Sequence, residues 1–349
     1  MEAALVGDRL GHKRVDPERG SNSGDFKRPC EGSNGLHNST MEMGDDDDVK
    51  DWEPEPNALD FYREFWIESY ACHGISFEDE TDLPPMRNTD GPMISNSSGP
   101  MPTMQVLYVK VTQITDALQW PLLVYGDIAV RDSMDHKRNF LFHRSRDQCQ
   151  KLTSLQDAVL ELTGPSRAVM LMDPHAFEID LKVRDKESPS EDKALSYNAF
   201  IYNNIAHASK ASYARTEVVP DKHSTIEVRF AHLAGTVEAT IEVAVVSGSH
   251  DFKARFTART ASIDEDMVLL DSFSGKVDVT DTGNVVLKRR IVTVEERGKL
   301  LLGVEAAESN SVAVQKWIKL TPRCALRSQG YFDLGFSKLR VVVAWSLLP

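Results

Sequence analysis

Few residues in this chain have the types and spacing that chemistry asks for. Ser166 stands in Gly164-Pro165-Ser166-Arg167-Ala168, which faintly resembles the elbow that presents a nucleophilic serine between a strand and a helix. The segments on both sides read as strands, so the motif predicts a turn instead. His136 and His143 flank Lys137 and Arg138, with Arg144 and Arg146 beyond. With Tyr125 and Phe140 nearby, this most basic stretch has the makings of a phosphate or RNA contact. Asp132, Asp135 and Asp147 are interleaved with it. They cut the local field and favour solvated loop and strand faces, and Lys288-Arg289-Arg290 reads the same way. Asp127, Asp132 and Asp135, and again Asp264, Glu265 and Asp266, offer carboxylates of the kind that hold Ca²⁺ on the loops of a C2-type sandwich. Calcium takes roughly six to eight oxygens, and only one acidic loop per half can be assembled. Cys72-His73 and Cys149 lack the spacing of a four-ligand zinc site and read as isolated thiols. H-E-x-x-H, P-loop and G-x-G-x-x-G patterns are absent from the sequence. The expectation is therefore a protein that is not an enzyme and takes no cofactor.

The residues better placed for binding are aromatic. Asn57 suits a helix N-cap, and Leu59, Tyr62, Phe65, Trp66 and Tyr70 follow at helical spacing, with Asp60, Arg63, Glu64 and Glu68 between them. A short amphipathic helix over 57–71 is predicted. Its aromatic face, with Tyr62, Phe65 and Trp66, is expected to dock on the β-modules, and entry into a partner's groove is the alternative. Tyr62, Phe65 and Trp66, with Arg138 and Arg144 from the basic stretch, are the candidate partner-binding residues. The partner expected is a protein, with nucleic acid the weaker candidate.

These residues need positioning, and composition says by what. The chain has 349 residues, 41% of them hydrophobic, and a formal net charge of −13. Residues 1–100 hold 22 Asp/Glu against 9 Lys/Arg, and the remainder holds 31 of each. Residues 1–56, with Asp45-Asp46-Asp47-Asp48, read as a disordered acidic arm. Residues 72–103, rich in Pro, Gly, Asn and Ser, read as an extended connector. No signal peptide and no apolar run near the roughly 18 residues of a membrane span is present. A cytoplasmic or nuclear protein is expected.

From residue 104 onward the chain alternates short apolar-polar strands with turns, an all-β pattern. It does so twice. Ile128–Arg131 matches Phe256–Arg259, Arg167–Leu171 matches Arg290–Val294, Leu195–Ile201 matches Val312–Ile318, and Ser224–His232 matches Ser337–Trp345. The offsets drift from about 128 to about 113 without changing order, as shorter loops in a second copy would cause. Two tandem, related antiparallel β-sandwich modules are expected at 104–235 and 236–349. Val341-Val342-Val343-Ala344-Trp345 is apolar on both faces and is placed centrally in a sheet.

Several strings carry a family resemblance. They include Asp60-Phe61-Tyr62-Arg63, Leu118-Gln119-Trp120-Pro121-Leu122, Arg131-Asp132 with Asp135-His136, and Arg146-Asp147-Gln148-Cys149-Gln150. The longest is Leu162-Thr163-Gly164-Pro165-Ser166-Arg167-Ala168-Val169, and Val343-Ala344-Trp345-Ser346-Leu347 stands near the end. Over roughly residues 58–349 the chain resembles an uncharacterised plant family, expanded in the grasses and known only as a domain of unknown function. Some relatives resemble fusions with ribosome-inactivating N-glycosidase domains, which implies a defence or stress role. Those enzymes use a helical Glu-x-x-Arg pair, and no Glu here has Arg three residues later. The resemblance therefore implies a non-enzymatic interaction protein, with an accessory factor of ribosome-inactivating systems and a C2-like calcium or lipid module as alternatives.

Overall fold

The computed structural model describes residues 57–91, 98–185, 188–203, 211–308 and 311–348. The acidic arm at 1–56 lies outside them. Helix α1 runs Ala58–Tyr70, and the Asn57 side chain accepts a hydrogen bond from Leu59 N at 2.9 Å, as an N-cap does. Strands follow in two series. The first is β1 (Met101–Ile114), β2 (Leu122–Arg131), β3 (Asn139–Arg144), β4 (Gln150–Leu152), β5 (Val169–Met170), β6 (His175–Val183), β7 (Lys193–Tyr202) and β8 (Tyr213–Pro220). After β9 (Ser224–Gly248) come β10 (Lys253–Thr260), β11 (Met267–Asp271), β12 (Ile291–Glu295), β13 (Leu300–Ala307), β14 (Val314–Leu320), β15 (Arg327–Asp333) and β16 (Ser337–Ser346).

The pairing of the first series recurs in the second. β2 pairs with β3 and β6, and β6 with β7; β10 pairs with β11 and β13, and β13 with β14. β5 lies on β1, and β12 lies on the second half of β9, so Arg167–Leu171 and Arg290–Val294 sit against the first strand of their respective series. β16 is flanked by β15 and β9, the interior position expected from its apolar run. β4, β8 and β15 were not legible in the sequence, because short or solvent-facing edge strands lack a buried stripe. Residues 158–163, 276–279 and 284–290 also read as strands in the sequence, and they contribute isolated bridges only.

The joint between the halves is one strand. β9 is 25 residues long and carries the 235/236 boundary inside it. Its first half pairs with β1 and β8, its second with β12 and β16, so one seven-stranded sheet runs through both halves. A strand alternates its side chains between two faces, and β9 uses both. Ile226, Val228 and Phe230 enter one core with Val124, Ile128, Phe177 and Ile179. Ala231, Leu233, Val237, Ala239, Ile241 and Val243 enter the other with Phe256, Leu302 and Val304. The five-stranded sheet of β2, β3, β4, β6 and β7 thus closes one face of the shared sheet. The four-stranded sheet of β10, β11, β13 and β14 closes the opposite face further along.

The connector is a strap. Thr81 N donates to Arg138 O and Arg138 N to Asp79 O, tying it to the start of β3. Further along, Met86 N donates to Glu238, Asn88 Nδ2 to Leu347 O and Thr89 Oγ1 to Trp345 O, tying it to β9 and the end of β16.

Candidate functional site

The outer face of the five-stranded sheet is where the candidate binding residues gather. Side chains opposite one another on neighbouring strands share a face. Arg131 and Ala176, Ala129 and Glu178 with Ala199, and Asp127 and Asp180 with Tyr197 form three such rows across β2, β6 and β7. Helix α1 covers them. Leu59, Tyr62 and Trp66 are buried with Phe77 and Ala176, while Tyr70, Tyr197 and Ala199 pack alongside. Trp66 is fully buried, donates Nε1–H to His136 O at 2.9 Å, and has the Arg131 guanidinium 4.8 Å from its ring. Burial of this kind is worth about 1.5–3 kcal/mol per large apolar side chain, which is why the helix stays down. Tyr70 stacks on the His136 ring at 4.0 Å.

Beneath the helix the charges alternate. Arg63 pairs with Glu78, Glu78 with Arg138, Arg138 Nε with Glu178 at 2.9 Å, and Glu178 with Arg131. Burial works against the Arg138 cation, yet Glu178 and Glu78 hold its pKa above the usual guanidinium range. A cavity of about 100 Å³ lies between this chain of charges and the Asp127–Asp180 row. Burial raises the Asp180 carboxyl above its ordinary range. Asp127 is held by His143 Nδ1 at 2.6 Å, and Tyr197 donates to Asp60 Oδ1 at 2.7 Å across the cavity mouth. Burial and that carboxylate push the Tyr197 phenol up to about 12.

A second charged knot joins the halves. Arg167 is buried and every face of its guanidinium is used. Nη1 donates to Asp132 Oδ2 at 2.7 Å, Nη2 to Asp132 Oδ1 at 2.9 Å and Asp135 Oδ1 at 3.1 Å, and Nε to Thr81 Oγ1 at 3.1 Å. Glu238 on β9 accepts from Ala168 N and Met86 N, each at 2.8 Å, and its burial raises its pKa. Ser166 N donates to Asn139 Oδ1. A Cβ at Gly164 would fall 1.9 Å from Phe140 O, so the turn admits only glycine there. The motifs Arg131-Asp132, Asp135-His136 and Gly164–Ala168, with Arg138 and Asn139 beside them, are thus mutually bonded scaffold.

The acidic loops weighed as calcium ligands are likewise engaged: Asp132 by Arg167, Asp127 by His143, Asp264 and Asp266 by Arg259, and Glu265 by Arg229. Among the described residues no three His, Cys, Asp or Glu are grouped to hold a metal ion.

The model of one family, the Domain of unknown function (DUF6598), matches residues 103–343. The chain belongs to this family. No curated protein matches it. Among solved structures, human GIVD cytosolic phospholipase A2 aligns at a TM-score of 0.25 and 10% identity, over 73% of this chain and 31% of that one. The paired C2 domains of Extended-Synaptotagmin 2 align at 0.24 and 10%, over 79% of this chain and 100% of that one. The chain spans about a third of the phospholipase's length, and scores this low carry no conclusion about either half.

In this DUF6598 chain the five candidate residues part company. Tyr62 and Trp66 are buried on the helix face that meets the sheet, whereas Phe65 is 49% exposed on the helix's open side with Phe61 at 67%. Arg138 joins them through the charge chain under α1. Arg144 lies elsewhere, paired with Glu161 and donating to Gln148 O at 3.2 Å. Phe61 stands in the Asp60–Arg63 string, but the helical stripe containing Tyr62 and Trp66 is the stronger signal in the sequence. The buried arginines of the family motifs carried no sequence sign of burial. Among the described residues no helix is long and apolar enough to cross a membrane.

Proposed function

We propose that this DUF6598 chain is a non-enzymatic interaction protein whose recognition element is helix α1, held on the first module and facing outward. One observation carries this reading. α1 has two apolar faces: Leu59, Tyr62 and Trp66 are buried, and Phe61 and Phe65 stay 67% and 49% exposed on the other side. Large aromatic side chains left in water on a helix whose opposite face is already packed mark a surface meant for a second protein. Of the partner-binding candidates, Phe65 makes the contact, with Phe61 beside it. Tyr62, Trp66 and Arg138 hold the helix in place. The plant-defence setting comes from the family resemblance, and the duplicated module is the scaffold that a small helix needs to be presented rigidly.

The test uses a photo-crosslinking residue at position 61 in the full chain, with position 276 on an exposed loop as control. A partner joined from 61 and not from 276 is then purified and titrated against Phe61→Ser/Phe65→Ser. Loss of binding at an unchanged unfolding temperature supports the reading. Equal crosslinking at both positions, or binding indifferent to both serines, overturns it.

A further inference from the structure

We infer that α1's partner is a second copy of this chain, which receives the helix on the outer face of its four-stranded sheet. The inference rests on the reading of α1 as a recognition element. The same face in the first module already holds a helix. Its counterpart in the second is built from the corresponding strands β10, β13 and β14 and is open. Register places Arg259, Leu301 and Lys319 in one row, Thr257, Gly303 and Trp317 in the next, and Arg255, Glu305 and Gln315 in the third. Trp317 lies flat across Gly303, where a Cβ would come within 2.7 Å of the indole ring. It remains 48% exposed, with the Arg259 guanidinium 5.7 Å from its ring. In the first module Arg131 stands under Trp66 of α1 in the same way, at 4.8 Å. The second module thus keeps the arginine-tryptophan pair but offers the outer side of the indole to solvent.

The two surfaces are complementary. Around Trp317 the face carries Arg255, Arg259, Lys253 and Lys319, and the two lysines have no ion pair among the described residues. Four carboxylates match these cations in number: Asp271 pairs with Arg255, Asp264 and Asp266 pair with Arg259, and Glu305 is left with Lys253 and Lys319 as the charges without an ion pair among the described residues. The open side of α1 offers Phe61 and Phe65 bordered by Glu64 and Glu68, all exposed. Two phenyl rings flanked by Glu64 and Glu68 meet an indole with Lys319 two residues along its strand, none of these three charges having an ion pair among the described residues, so apolar burial and charge pairing act in one contact. Helix and sheet are different surfaces, so the contact is heterologous and copies join head to tail.

Sedimentation velocity on the full chain over a concentration series tests this. The average mass is expected to rise with concentration and to fall back at about 0.5 M salt, where charge pairs are screened. Phe65→Asp removes the helix half of the contact and Trp317→Ala the sheet half, so each variant alone is expected to stay monomeric. Their equimolar mixture is expected to form a dimer that grows no further, because each supplies the half the other lacks. Circular dichroism and unfolding temperature establish that both variants fold; Lys319→Glu mixed with Glu64→Lys repeats the design with charge alone. A wild-type chain that is monomeric up to about 100 μM, or assembly that survives both variants, overturns the inference. A monomeric wild type that still crosslinks a different protein from position 61 leaves the role of α1 standing and removes only the second copy as its partner.

Discussion

The outer faces of the two smaller sheets have the same strand order and opposite fates. On the first, Arg131 is buried, ion-paired to Glu178 and roofed by Trp66 from a helix that precedes the sheet in sequence. On the second, Arg259 is partly exposed, pairs with the loop residues Asp264 and Asp266, and is flanked by Trp317 from β14 of the same sheet. The covered face is dry enough for its charges to need full pairing; the open face leaves them to water. A repeated strand order therefore fixes where a side chain points, while what lies above it fixes what the side chain is worth.

The aligned arginines Arg167 and Arg290 give the sharpest test. Arg167→Met leaves Asp132 buried without its cation, and a loss of about 3–5 kcal/mol in denaturant unfolding is expected. Arg290 is exposed, so Arg290→Met is expected to stay within about 0.5 kcal/mol. Equal losses would mean that the knot at Arg167 is not what joins the strap to the halves. The tryptophans come next. Trp66→Ala is expected to cost about 3–5 kcal/mol, and Trp317→Ala, which uncovers little core, about 1 kcal/mol.

A smaller effect separates the faces by pH. Burial, partly opposed by Asp132, Asp135 and Asp173 and reinforced by His73, holds the His136 pKa below its ordinary value. The unfolded chain then takes up this proton first as pH falls through about 6.5. Stability from a neutral, stacked His136 is complete above that pH and is lost toward acid, by at most about 1.4 kcal/mol per pH unit. His136→Asn keeps the left-handed backbone at φ 57. The stability gap between wild type and variant should shrink from pH 8 to pH 5; a constant gap would show that His136 does not titrate under the helix. Last, Tyr197→Phe removes the hydrogen bond to Asp60 and is expected to cost about 1 kcal/mol in thermal unfolding. No change would mean that the partly exposed bond only trades with water.

Much of the architecture was legible. The apolar run Val341–Trp345 lies in the interior strand β16, and α1 starts at its Asn57 cap. Strand pattern, caps and turns depend on neighbours within a few residues. The site was less legible. Phe61 and Phe65 differ from Tyr62 and Trp66 only in which side of one helix meets the sheet, and a helix with apolar residues on both sides does not announce that choice. Asp132 and Asp264 look alike in sequence as loop acids, yet Asp132 is buried against Arg167 and the side chain of Asp264 is 92% exposed.

Local chemistry in the sequence determined a mostly β chain, one capped helix and glycine at the turn before Arg167. Only the tertiary structure decided that β9 serves both cores, that residues 79–89 strap the halves together, and which charges are buried. The reason is distance along the chain. The knot at Arg167 draws on Thr81, Asp132, Asp135, Ala168 and Glu238, and no window of sequence contains them all; their pairing exists only once the shared sheet has brought them to one place.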